Sequence, residues 1–112
     1  VGDVIAIEPF ATDGSGKVTE GSKNEIYSLV NDRSVRDRMS RQLLDEVREE
    51  YKLLPFAARW FEGGRSEMAI RRLEQQGVLR GYPVLKEEDG AMVGQAEDTL
   101  IVTEDGYENI TR

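Results

Sequence analysis

The apolar positions of this chain change period twice, and that change limits the folds open to it. Short β-branched runs lie near the two ends, Val4 to Glu8 and Thr99 to Val102, whereas Val35, Met39, Leu43, Leu44, Val47 and Tyr51 recur at helical spacing. Charge divides the chain in much the same places. Residues 1–32 carry two basic against six acidic side chains, residues 33–80 eleven against eight, and residues 81–112 two against eight. The middle is therefore a separate compositional block. The expectation is an α+β fold in which a partial antiparallel sheet, residues 1–31 and 92–112, is interrupted by an inserted helical module, residues 32–91. At 112 residues the chain is long enough for one domain or two small units. No apolar run approaches the roughly 18 residues of a membrane span, so no membrane partner is expected. With no cysteine, disulfides and thiolate metal sites are excluded. A cytoplasmic protein is the expectation.

Turn and cap signals fill in the block. Asp13-Gly14-Ser15-Gly16 reads as a flexible turn and Ile26 to Val30 as a strand. Ser34, with Asp37 three residues on, is placed to cap a first helix running to about Tyr51. Leu54-Pro55 interrupts it, Phe56 to Phe61 is predicted as a short second helix, and Ser66 is predicted to cap a third that stops at Gly77. Val84-Leu85 and Ala91 to Val93, joined by Lys86 to Gly90, suit a hairpin. Three helices and a hairpin make a winged-helix-like module. A winged helix commonly reads DNA with its third helix, here bearing Arg71 and Arg72 with Arg65 and Arg80 at its flanks. Glu67 and Glu74 lie within helical reach of those arginines, and a net +3 over the block releases few counterions, so nucleic acid is not the expected partner. Trp60 is expected at the centre of the helical core.

Two acids stand out. Glu8 lies in the otherwise apolar Ile5 to Ala11 and Glu97 in the strand-like Gly94 to Val102. Burying a carboxylate costs several kcal/mol, on the order of a broken ion pair, unless a cation or donors meet it. A metal would serve. A solvated strand exit would serve as well for Glu8, because Pro9 follows it. No glycine-rich phosphate loop, no Ser/His/Asp set and no Cys/His pair is present, so no nucleotide or covalent chemistry is indicated.

Four strings in order, GDVIAIEPFAT (2–12), LPFAARWF (54–61), YPVL (82–85) and QAEDTLIVTEDG (95–106), resemble type II methionine aminopeptidases of the archaeal kind. The likeness runs along nearly the whole chain and resembles the C-terminal half of the catalytic domain with its helical insertion. It implies half of a pita-bread fold and a hydrolase, a protease that removes N-terminal methionine from nascent proteins by metal-activated water. Glu8 and Glu97 would be ligands of two divalent ions, with cobalt, manganese, iron and zinc not distinguishable. Tyr82 would line the methionine pocket. The remaining ligands, two Asp and a His, belong to an N-terminal half that would be this chain's partner. Val1-Gly2-Asp3 opens straight into an apolar strand without Met, so the chain is expected to begin in mid-domain and to be a fragment. It has no His at all, and Asp98 stands where the family has one. Alone it is expected to be inactive, to contribute no complete catalytic set and to hold no metal tightly. The alternative reading is a winged-helix module that binds protein or nucleic acid without catalysis.

Overall fold

The computed structural model describes residues 1–112 and divides into two units, Val1–Thr19 with Lys86–Arg112, and Glu20–Leu85. In the first, β1 (Val4–Ile7) pairs with the Asp98–Val102 strand, which pairs in turn with Tyr107–Asn109, all antiparallel. β2 (Phe10–Thr12) pairs with Val93–Gln95. In chain order the strands of the second unit come next: β3 (Thr19–Leu29), β4 (Phe56–Ala57) and β5 (Leu79–Lys86), in the sheet order β4-β3-β5. Val93–Gln95, Asp98–Val102 and Tyr107–Asn109 are then β6, β7 and β8. No helix is long and apolar enough to cross a membrane.

The core lies in the second unit. Helix α1 (Arg38–Glu46) turns its Leu43 and Leu44 inward, a wider helical turn continues over Val47–Tyr51, and α2 (Gly64–Gln75) supplies Ala69, Ile70 and Leu73. Phe56 is buried among Tyr27, Tyr51 and Phe61, with ring centroids 6.3, 5.4 and 5.4 Å away. α2 ends where the sequence says it should. Gly77 takes φ +69°, its N–H donates to the Glu74 carbonyl at 2.9 Å, and the Val78 N–H reaches back to Leu73 O at 2.9 Å. Those two bonds satisfy the last carbonyls and seat Val78, fully buried, under the helix.

An α+β chain with antiparallel sheets is observed, but the three-helix winged-helix module is not: there are two α-helices. Phe56 and Ala57, predicted to be helical, pair across β3 with Tyr27 and Ile26, and only a 3₁₀ turn follows at Ala58–Trp60. Burial of the Phe56 ring in the aromatic cluster outweighs local helix propensity in so short a segment. Trp60 stacks on Tyr51 at 5.5 Å yet is 52% exposed, so Phe56 holds the central place expected of it. The predicted hairpin also fails. β5 pairs with β3 and β6 with β2, so long-range partners prevail over the Asp89-Gly90 turn signal. Nor is the Glu8 run buried, for Val4, Ile5 and Ile7 are all exposed; in the other run Glu97 is itself exposed and Leu100 is the buried apolar side chain.

The first helix begins later than predicted, with Asp37 rather than Ser34 as its cap. The Asp37 carboxylate accepts from Ser40 Oγ at 2.7 Å and Ser40 N at 2.9 Å and pairs with Arg72 at 2.9 Å, which ties α1 to α2. The Ser40 hydroxyl and N–H, with Arg72 after them, hold the Asp37 carboxyl below its usual range, against an opposing effect of burial. A depressed folded pKa adds stability that is fully present above the unfolded value, about 3.9, and is lost as pH falls through the folded one. Asp37→Asn should accordingly flatten the acid limb of a urea-midpoint profile below about pH 4. A profile unchanged from that of the parent chain would show that Asp37 does not couple the two helices.

Candidate metal centre

The registers of the two ladders fix where the acids fall. Pairing runs from Val4 with Ile101 to Ile7 with Asp98, and resumes from Phe10 with Gln95 to Thr12 with Val93. Two residues on each strand lie between, so the register carries through unbroken: Pro9 faces Ala96 and Glu8 faces Glu97. Ala96 N–H donates to Pro9 O at 3.1 Å. Proline has no N–H to return, so the gap between β1 and β2 is one missing donor rather than a change of course.

Antiparallel pairs alternate between those that exchange backbone hydrogen bonds and those that do not, and the second kind brings side chains closer. Val102 N donates to Asp3 O at 2.9 Å and Asp13 N to Met92 O at 3.3 Å, which with Pro9 puts positions 3, 9 and 13 in bonded pairs. Glu8 and Glu97 are therefore a non-bonded pair with side chains on one face. Gln95, two residues before Glu97, shares that face and donates from Nε2 to Glu8 Oε2 at 3.4 Å. Sequence reading missed Gln95, although the period of two from Glu97 marks it. Both acids are exposed and neither has an ion-pair partner. No third acid, His or Cys joins them within reach of one ion. Two facing carboxylates offer up to four hard oxygens, the donor set of a loosely held divalent cation.

Asp98, the neighbour of Glu97, points to the opposite face by strand alternation. There Arg112 grips it through Nε at 2.8 Å and Nη2 at 2.6 Å, and Thr111 Oγ1 donates at 3.1 Å. Arg112 foremost, then Asn109 and Thr111, pull its carboxyl down to about 2. Asp98 is thus committed to a clasp with the segment after β8 and is turned away from the acid pair.

Tyr82 stands on β5 in the other unit. Its hydroxyl lies 3.1 Å from Oγ of buried Ser28, and the Arg80 guanidinium sits 5.4 Å from its ring centroid. The ring is thereby held at its tip and covered on one side, while 38% of the residue stays exposed.

No family model matches the chain. Individual relatives do. It is 56% identical to a methionine aminopeptidase of Archaeoglobus fulgidus over 98% of its length, 45% identical to one of Methanocaldococcus jannaschii over 100%, and 51% identical to one of Pyrococcus horikoshii over 93%. This stretch of sequence belongs to the methionine aminopeptidase family. It spans 37–38% of the length of those curated relatives. Among solved structures, a thermophilic Arx1 matches with a TM-score of 0.82 at 27% identity, over 98% of this chain and 30% of that one. The resemblance seen in the sequence strings is upheld by aminopeptidases from several archaea.

Proposed function

We propose that this chain is the part of a methionine aminopeptidase that contributes two carboxylate ligands and one wall of the substrate pocket. The observation that supports it is the facing of Glu8 and Glu97 in an unbroken register, two exposed acids with no cation of the protein's own to meet them. That donor set suits one side of a centre of divalent ions. Bound there, such ions would supply the Lewis acidity that activates water for peptide cleavage. The residues' own part is positional. The ladder holds the two carboxylates on one face, Gln95 orients Glu8, and the hydrogen bond to Ser28 holds the Tyr82 ring for a methionine side chain. In this reading residues 1–31 and 92–112 carry the ligands, residues 32–91 are the family's insertion, and the protein works in the cytoplasm on nascent N-termini.

By itself the chain should release no methionine from a Met-Ala-Ser peptide with added cobalt or manganese, because two carboxylates cannot clamp two ions. Placed in the Archaeoglobus fulgidus aminopeptidase in exchange for the matching stretch, it should support turnover. Glu8→Gln or Glu97→Gln in that chimera should lower kcat/KM by at least about a hundredfold. A folded but inactive chimera, or one indifferent to Glu97→Gln, would overturn the assignment.

A further inference from the structure

The unit Glu20–Leu85 contains a groove of about 530 Å³ that the metal site does not use. One wall is β3 from Ser22 to Glu25, and the other runs from the 3₁₀ turn at Arg59 into the first turns of α2. Tyr27, Phe61 and Ile70 form an apolar floor.

Two features say what such a groove accepts. The first is a free strand edge. β4 pairs with β3 only at Ile26 and Tyr27 and then leaves it, so from Glu25 back to Thr19 that side of an eleven-residue strand has no neighbour. Backbone donors and acceptors along it are open to an added strand. The second is charge. Lys23 pairs with Glu25 at 3.2 Å and Arg71 with Glu67 at 3.5 Å, and Glu74 accepts from Asn24 Nδ2 at 2.7 Å. Every acid lining the groove has an ion-pair or hydrogen-bond partner, Glu74's being the neutral Asn24 amide; Arg59 is the one charged side chain there with neither. An occupant that complements the groove must be extended, must offer its backbone to β3, and must bring an acid to Arg59.

We propose that this groove docks an extended segment of a partner protein, which adds to the free edge of β3 and sets an acidic side chain against Arg59. The partner is a peptide, since a strand edge recognises main-chain amides. A second copy of this chain pairing edge to edge is the competing occupant.

The test is selection of a random heptapeptide display library on the full 112-residue chain, followed by fluorescence polarisation of the enriched peptides. Enriched sequences should hold Asp or Glu at one position and no Pro in the pairing stretch. Their affinity should fall at least about tenfold in Arg59→Glu and by less in Arg59→Lys. Hydrogen exchange should slow at amides between 20 and 25 when peptide is bound. Arg59 is exposed and unpaired, so its variants should melt with the parent chain. Failure to enrich acidic peptides, affinity unchanged in Arg59→Glu, or protection of 20–25 that follows protein concentration without peptide would each overturn the proposal. Aminopeptidase activity of the chimera is a separate readout, and either result leaves the other standing.

Discussion

Phe56→Ala should destabilise the chain by about 3–5 kcal/mol, the usual cost of removing a fully buried aromatic ring. Phe56 is 1% exposed and lies between three aromatic neighbours contributed by β3, the turn after α1 and the segment after the 3₁₀ turn. Those elements converge on one ring, so they cannot close over its absence without moving the backbone, and most of the cavity would remain. A unit of this size loses roughly 4–8 °C of melting temperature per kcal/mol, so the drop should be obvious in a thermal melt. Trp60→Ala is the comparison, because that ring rests on Tyr51 with half its surface in water. Should Trp60→Ala prove the more damaging, the aromatic core has been assigned to the wrong residue.

Manganese should raise the melting temperature of the parent chain and leave Glu8→Gln and Glu97→Gln unmoved. A ligand that binds only the folded state stabilises it by RT ln(1 + [L]/Kd), about 2.7 kcal/mol at a hundred times Kd. Two carboxylates make a weak site, comparable to open oxygen sites with Kd on the order of 10⁻⁴ to 10⁻³ M, so the rise should develop across millimolar metal. Either substitution removes one of two charged ligands and should abolish it. Asp98→Asn should retain the rise, because Asp98 lies on the opposite face in the grip of Arg112. A rise that survives both glutamate variants, or that vanishes in Asp98→Asn, would place the ion elsewhere.

The acid pair was legible in the sequence because strands keep a period of two and the flanking runs were apolar enough to be recognised as strands. The pairing itself was not. Nothing local shows that Glu8 lies across from Glu97, since register is set by partners 89 positions away; the resemblance implied their closeness and the ladder supplies it. The second helix failed for a related reason. Phe56 to Phe61 looks helical when read alone, and only β3, some thirty positions earlier, turns Phe56-Ala57 into a strand. Gly77 succeeded because its evidence is local: a positive-φ residue after the last turn of a helix needs nothing distant to act. Asp37 displaced Ser34 as cap through the Ser40 N–H and hydroxyl three residues on, a local signal that was passed over, and Arg72 of the second helix only adds to it.

The facing of Glu8 and Glu97 can be measured without metal or substrate. The chain has no cysteine, so Glu8→Cys with Glu97→Cys gives two thiols and no others. A non-bonded antiparallel pair holds its Cα atoms about 4.5 Å apart, inside the span a disulfide bridges. Mild oxidation should therefore join positions 8 and 97 within one chain, and the same treatment of Glu8→Cys with Asp98→Cys should leave its thiols free, since strand alternation turns position 98 away. An 8–98 bridge that forms as readily, or an 8–97 pair that stays reduced in a folded chain, would contradict the register and the metal site built on it.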